Sequence, residues 1–385
     1  MTKICVFTGT RAEYGLLAPL MRAFEQDDAF QLQILVSGSH LSPEFGLTYQ
    51  QIEKDGFSID EKVEMQLSSD TSVGIVKSTG LGMIGFADAL NRLKPDWLVV
   101  LGDRYEAFAV ATSAFLMKIP MAHISGGDVT EGATDDALRH SISKMSYLHF
   151  TSTETYRKRV IQLGEAPERV FNVGGTGIDN IVKMELLSQD DFVKSIDFEL
   201  TNPYFLVTFH PVTLASLSSE SQFQELIDSL DKFADYQVII TLPNADTDGR
   251  IIIKMIQEYA QKNPNRISVH TNLGQLRYLS AIKYASAVIG NSSSGIVEVP
   301  SFKVPTVNIG DRQKGRVRAE SVIDCETTEP EITKSIQKAI SPEFQAFCQT
   351  VENVYGTGNA TEQIIEILKK STQKIDLKKS FYDFI

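Results

Sequence analysis

The sequence predicts an α/β protein of two Rossmann-like, doubly wound domains with a cleft between them. Three observations carry this expectation. Short apolar, β-branched runs alternate with amphipathic stretches along nearly the whole chain. The alternation lapses once, in the polar stretch LLSQDDFVKSIDFELTNP, and then restarts. At 385 residues the chain is also too long for one ordinary core.

In the first half ICVFTG reads as a strand, followed by a helical stripe at Leu16, Leu17, Leu20, Met21 and Phe24. QLQILVSG, DWLVVLGD, the small-residue helix AFAVATSAFLM, PMAHISGGD and YLHFTST come next. The second half restarts with YFLVTFHP, YQVIITLPN, ISVHTNLG, AVIGN and TVNIGD, with helices between. The expected domains are 1–190 and 191–360, with 361–385 a C-terminal helix and tail whose helix packs back on the first domain. The N-terminal domain is expected to carry sugar and acid/base residues, and the second to bind nucleotide. In open parallel sheets ligands bind beyond the carboxyl ends of the strands. Every unusual polar cluster here follows a predicted strand: GTRAEYG, LGDRYE, SGGDVTEGATDD, TFHPVT, LPNADTDGR, GNSSSG and IGDRQKGR.

Composition narrows the partners. The chain is 42% hydrophobic and 22% charged, as globular proteins are. A net charge of −12 argues against a nucleic-acid binder, while local arginines leave a small anionic ligand open. Cys5, Cys325 and Cys348 lie far apart without CxxC spacing, which indicates neither a disulfide framework nor a zinc site. No run approaches the ~18 apolar residues of a membrane span. A cytoplasmic protein with no membrane partner is expected.

The most informative stretch is AVIGNSSSGIVE, Ala287 to Glu298. A strand, a small-residue loop and a helix start would present backbone N–H groups and the hydroxyls of Ser292 and Ser293 to a phosphate. Glu298 would sit near enough to accept ribose hydroxyls. A Ser-rich helix cap is the plainer reading. The basic residues Arg312, Lys314, Arg316 and Arg318 that follow favour an anionic partner, a nucleoside diphosphate.

Other clusters add chemistry. GTRAEYG occupies the first β–α turn without GxGxxG spacing, and the second strand ends in Val36-Ser37-Gly38 rather than an acidic residue, so NAD is disfavoured. Arg11 either contacts a phosphate or sugar or pairs with Glu13. Asp103 and Arg104 follow LVVLG, where desolvation could raise a carboxylate toward a general base; a cap for a helix near Glu106 is the alternative. Asp128, Glu131, Asp135 and Asp136 fall within nine residues of an acidic loop. Asp135 with Arg139, and Asp136 with His140, are spaced as helical pairs. Without neighbouring histidines any metal there would be of the magnesium type, and nothing demands one. His210 and Asn244 each follow a strand of the second half, while His149 reads as core.

Taken together, TRAEYG, LGDR, the acidic loop ending DDALRH, FHPVT, LPN, GNSSSGIVE and GDRQKGR resemble the UDP-N-acetylglucosamine 2-epimerase family over nearly the whole length. The resemblance implies the glycosyltransferase-B fold with UDP in the cleft. LGDR and RHSISKMSYLHF are similar to the hydrolysing branch, as the tail KKSFYDF is to bacterial members. That branch converts UDP-GlcNAc and water to N-acetylmannosamine and UDP for sialic-type acids, through elimination to 2-acetamidoglucal and then hydration. Close relatives act on UDP-2,4-diacetamido-2,4,6-trideoxyglucose, toward legionaminic-type acids. Arg11, Arg104, Asn244, Ser292, Ser293, Glu298 and Arg312 fall on the family's nucleotide-binding positions. Asp103, Asp135 and His210 fall on its catalytic ones, with His210 donating to the leaving phosphate or serving as acid. Ser125 stands where a relative has a catalytic glutamate, so Asp128 or Glu131 supplies that carboxylate or the acid–base assignment differs. No cofactor or metal is implied, and the expected assembly is a homodimer or homotetramer. A glycosyltransferase, a non-hydrolysing epimerase and a non-catalytic nucleotide-sugar sensor are the competing readings.

Overall fold

The computed structural model describes residues 1–67, 71–129, 135–211, 218–243, 249–372 and 375–383. The chain divides into two compact units, Met1–Val182 with Tyr355–Ile385, and Lys183–Val354. The divisions fall a few residues before the expected 190/191 and 360/361.

Unit 1 holds a parallel sheet of β1 (Thr2–Thr8), β2 (Phe30–Ser37), β3 (Glu61–Val63), β4 (Trp97–Leu101), β5 (Met121–Ile124), β6 (Leu148–Thr151) and β7 (Val170–Asn172). Their order is β3-β2-β1-β4-β5-β6-β7. Side chains alternate between faces. Ile4 and Val6 of β1 join one core cluster with Leu17, Leu20, Met21 and Phe24, whereas Cys5 and Phe7 join another with Phe86 and Val110. The helix Ala360–Ser371 buries Ile364, Ile365 and Leu368 in the first of these clusters. Its opening N–H groups, from Ala360 and Thr361, donate to the fully buried Asp179 carboxylate at 3.0 and 2.7 Å, a cap supplied from another helix.

One feature corrects the sequence expectation. The helix Ser72–Leu93 has 22 residues and a stretch of mean hydropathy 1.3, long and apolar enough by those measures to cross a membrane. It is apolar on more than its buried face: Phe86, Ala89, Leu90 and Leu93 are buried, while Val73, Val76 and Ile84 are exposed. It bridges β3 and β4, and at Gly85 an added Cβ would sit 2.6 Å from Val63 Cγ1. The approach of helix to sheet therefore needs glycine there.

Unit 2 holds β8 (Tyr204–Thr208), β9 (Gln237–Thr241), β10 (Ile267–His270), β11 (Ala287–Gly290), β12 (Thr306–Ile309) and β13 (Val322–Cys325). All neighbours are parallel, in the order β10-β9-β8-β11-β12-β13. Phe205, Val207, Val238, Ile240 and Ile289 pack with Phe223, Leu226 and Ile336 on one face. Each sheet thus reverses its winding once, between β1 and β4 in unit 1 and between β8 and β11 in unit 2. A doubly wound sheet opens a crevice at the carboxyl ends of such strands.

Candidate functional site

The turns at the two reversals contain most of the candidate residues. In unit 1, Arg11 opens the helix Arg11–Glu25 directly after β1, and its side chain is exposed. Thr10 caps that helix by accepting from the Glu13 N–H, while the Glu13 carboxylate turns back to accept from the Gly9 N–H at 2.8 Å. Glu13 is therefore spent on the turn rather than on Arg11. Burial, assisted by the negative charge of Glu106, raises its carboxyl to about 7, against the pull of the Gly9 N–H.

After β4, Arg104 rather than Asp103 occupies the N-cap position of the helix Tyr105–Leu116, without a side-chain capping bond. The Arg104 guanidinium donates to both oxygens of the fully buried Glu106, at 3.1 and 3.2 Å. Asp103 was expected to be a partly desolvated carboxylate suited to a general base, or a helix cap. It is instead ion-paired with Arg139, whose guanidinium also donates to the Asp136 carboxylate at 2.8 Å and to the Asp128 carbonyl at 2.6 Å. The Arg139 side chain is only 7% exposed, so this clamp is well shielded. The helical spacing of Asp135 and Arg139 allowed a pair, which involves a side chain outside the described structure; Arg139 meets Asp103 and Asp136. Asp128 also accepts from the Ser152 hydroxyl at 3.3 Å. Fully buried His123 ties the same turns together, meeting the Gly102 carbonyl at 2.7 Å and the Ser143 hydroxyl at 3.0 Å. Burial lowers this imidazole to about 4, so it is neutral at physiological pH.

Ser125, at the end of β5, has a left-handed φ of +65°. Its N–H donates to the Phe150 carbonyl at 2.9 Å. Asp135 is the first residue of the helix Asp135–Met145, with its side chain outside the described structure, as Glu131 is altogether. His149 is fully buried, in line with its reading as core, but it meets Glu165 at 3.0 Å rather than apolar neighbours alone.

Beside the Gly38 and Tyr105 turns lies a hollow of about 610 Å³, bordered by Pro43, Phe45, Met65 and Leu67. Gln66 in its wall donates to the Tyr105 hydroxyl at 3.2 Å, while its Oε1 is buried without a hydrogen-bond partner.

In unit 2 the organiser is Asn291, a residue the sequence reading passed over beside its serines. It is 1% exposed. Its side-chain amide accepts from the His210 N–H at 2.7 Å and donates to the His210 carbonyl at 2.8 Å, joining the ends of β8 and β11. Its own carbonyl accepts from Arg312 at 3.0 Å and Gln313 at 2.9 Å. The turns after β8, β11 and β12 thus converge on this one residue. Gly290 makes that possible: at φ +139° an added Cβ would lie 2.0 Å from the Thr208 carbonyl oxygen.

Ser292 caps the helix Ser293–Val297, and Ser293 is exposed. That helix is only five residues long, with Glu298 at its C-cap, so its dipole is short. The anion-binding capacity of the turn accordingly rests on hydroxyls and open N–H groups. Burial raises the Glu298 carboxyl above its ordinary value. The neighbouring hydroxyls of Ser294 and Tyr278 are buried with no partner in hydrogen-bonding geometry. Asn244 lies outside the described residues. Among the described residues no three His, Cys, Asp or Glu side chains are grouped to hold a metal ion.

The missed residues differ in how far the sequence could have shown them. Thr10-x-x-Glu13 is a capping-box spacing, and Asn291 directly follows a strand-ending glycine. Nothing local to Arg139 points to Asp103, 36 positions away.

Comparison with known proteins places the fold and the family. The chain is 45% identical to "GDP/UDP-N,N'-diacetylbacillosamine 2-epimerase (hydrolyzing)" of Campylobacter jejuni, over 89% of its own length and 88% of the relative's. It is 39% identical to "Polysialic acid biosynthesis protein P7" of Escherichia coli, over 100% and 98%. The crystal structure of UDP-GlcNAc 2-epimerase from Neisseria meningitidis bound to UDP-GlcNAc superposes with a TM-score of 0.77, at 21% identity over 96% and 100% of the two chains. Residues 22–369 match the UDP-N-acetylglucosamine 2-epimerase family, and the chain belongs to that family.

Proposed function

We propose that the protein is a hydrolysing 2-epimerase that converts UDP-GlcNAc and water to N-acetylmannosamine and UDP. The observation that carries this reading is the Arg139 clamp, which holds the Asp103 and Asp136 carboxylates and the Asp128 backbone together at one sheet edge. Carboxylates fixed in unequal surroundings can divide the work of base and acid. The name of the relative in Campylobacter jejuni supports the hydrolysing form, and that of the relative in Escherichia coli supports the sialic-type pathway.

In this reading a carboxylate, Asp103, takes the C2 proton as the C1–O bond breaks, and UDP departs to leave 2-acetamidoglucal. Water then adds, with hydroxyl to C1 and a proton to C2 on the opposite face, releasing the free hexosamine. Asp128, Glu131 and Asp135 are the candidates for acid and water-activating base, Ser125 having no carboxyl to offer. Cationic and N–H donors stabilise the departing diphosphate. Arg11, Arg104, Asn244, Ser292, Ser293 and Arg312 are assigned to it, and His210 donates to the leaving phosphate. Glu298 accepts from the ribose, with the unpaired Ser294 and Tyr278 hydroxyls beside it.

One observation favours a second substrate, UDP-2,4-diacetamido-2,4,6-trideoxyglucose. The hollow next to Tyr105 sets an unpaired buried acceptor, Gln66 Oε1, among Phe45, Met65 and Leu67. An extra acetamido N–H and a C6 methyl would suit that lining. Proton NMR in D₂O with each sugar in turn tests both readings. Free N-acetylmannosamine deuterated at C2, with one UDP per sugar, is the expected result with UDP-GlcNAc. Turnover of the diacetamido sugar alone would move the assignment to the second substrate. A UDP-linked epimer, or silence with both, would overturn the hydrolysing reading.

A further inference from the structure

The C-terminal segment 375–383 is fastened across unit 1 by more contacts than charge balance requires. Glu165 is fully buried, and the Lys144 ammonium at 2.8 Å already neutralises it. A second lysine, Lys379, nevertheless reaches the same carboxylate at 2.6 Å. Its ammonium also donates to the carbonyls of Lys144 at 2.9 Å and Ser146 at 2.6 Å. All three ammonium protons are thereby used, two of them on carbonyls at and just beyond the end of the helix Asp135–Met145. A cation is favourable at that end of the helix dipole.

Two residues further, the Phe381 ring lies against Gly164, where an added Cβ would come within 2.3 Å of it. The Tyr382 N–H donates to the Gly164 carbonyl at 3.0 Å, and the Lys144 ammonium stands 4.7 Å from the Phe381 ring centre. Gly164 and Glu165 directly follow the helix Glu154–Gln162. The segment therefore buckles together the ends of two helices. Each of those helices sends an arginine to the turn after β5: Arg139 to the Asp128 carbonyl and Arg159 to the Gly127 carbonyl.

We propose that the C-terminal segment is a positioning strap. Lys379 fixes the far end of the Asp135–Met145 helix and so sets the Arg139 clamp on Asp103, Asp136 and Asp128. An 11-residue helix is a stiff rod, so its anchored end fixes the placement of the other. A loosened clamp misplaces the carboxylates without removing any group that would hold nucleotide. Misplacement by an ångström is enough to slow chemistry many-fold. The kinetic part of the proposal rests on the 2-epimerase reading; the mechanical part does not.

The test compares Lys379→Met, Lys379→Arg and a chain ending at Thr372, the last with and without a synthetic peptide of residues 375–385. Lys379→Met leaves the Lys144–Glu165 pair intact, so no buried charge is stranded. Turnover, UDP affinity by calorimetry and amide hydrogen exchange over 126–128 and 135–145 are read together. The expected result for Lys379→Met is about a tenfold fall in kcat, UDP affinity unchanged within about twofold, and faster exchange in both segments. Lys379→Arg, and the peptide added to the shortened chain, should restore part of the lost kcat. Unchanged kcat in both Lys379→Met and the shortened chain would overturn the proposal, as would equal losses of kcat and UDP affinity. If the unaltered chain turns over neither sugar, the 2-epimerase reading fails by itself. Unchanged exchange in 126–128 and 135–145 would overturn the strap even then.

Discussion

Units 1 and 2 wind their sheets in the same way and organise the two reversals by different means. In unit 1 the turns after β1 and β4 are held by charge: Arg104 grips Glu106, Arg139 grips Asp103 and Asp136, and Glu13 is folded inward beside them. In unit 2 the turns after β8 and β11 are held by one neutral amide, Asn291, joining His210 to the Arg312 segment. A charged edge can bind and release protons, because its groups already stand in unequal fields. An amide-built turn carries hydroxyls and backbone donors that can face an anion. Under the proposed function, the first unit would supply proton transfer and the second much of the diphosphate binding.

Three substitutions would break or sharpen this contrast. The largest effect is expected from Asp103→Asn, which should lower kcat about 10³-fold while UDP affinity survives. Near-normal turnover would remove Asp103 as the base and weaken the division of labour between the units.

Next is a pH effect confined to unit 1. The Glu13 carboxyl rises from its ordinary 4.5 to about 7 on folding, chiefly through burial. The folded protein therefore holds this proton more tightly than the unfolded chain does. The stabilisation is complete below about pH 4.5 and is lost as pH rises through about 7, by up to about 3 kcal/mol. The single tryptophan, Trp97, is fully buried in unit 1 and reports its unfolding by fluorescence. Glu13→Gln should flatten the dependence of urea stability between pH 5 and 7.5. A slope equal to that of the unaltered chain would mean that Glu13 does not store this cost.

The smallest effect concerns unit 2. Glu298→Ala should raise KM for the UDP-sugar about tenfold with kcat little changed, the loss of about one charge-assisted hydrogen bond. An unaltered KM would take Glu298 out of the ribose contacts.

How much of this was legible in the sequence follows from where the signals lie. The strands β1, β2, β4, β5 and β6, and β8 to β12, were read from their apolar and β-branched residues, and all but β10 are interior. The three that escaped, β3, β7 and β13, have three or four residues, lie at sheet edges and offer only the short segments EKV, VFN and VIDC. The placement of polar clusters at strand ends was equally readable, because turns announce themselves by composition. Partners across the fold were not. RH in DDALRH suggested a pair within its own helix; Arg139 does meet Asp136 there, but the guanidinium also closes on Asp103 from another turn. Asn291 was overshadowed by three serines, though its side chain ties the ends of β8 and β11 together. Glu13 looked like a mate for Arg11 until its carboxylate proved committed to the Gly9 N–H.

Unit 1 is interrupted in sequence: its final helix and strap come only after all of Lys183–Val354 has been made. On the ribosome, unit 2 has its complete sequence while the emerging unit 1 still lacks Ile364, Ile365 and Leu368 against Leu17, Leu20 and Phe24. The nascent N-terminal half must therefore wait with an apolar face uncovered, a natural site for chaperone capture. Translation arrested short of the last helix should yield a finished unit 2 tethered to an unfinished, aggregation-prone partner. Assembly of the first unit is thus deferred to the last moments of synthesis.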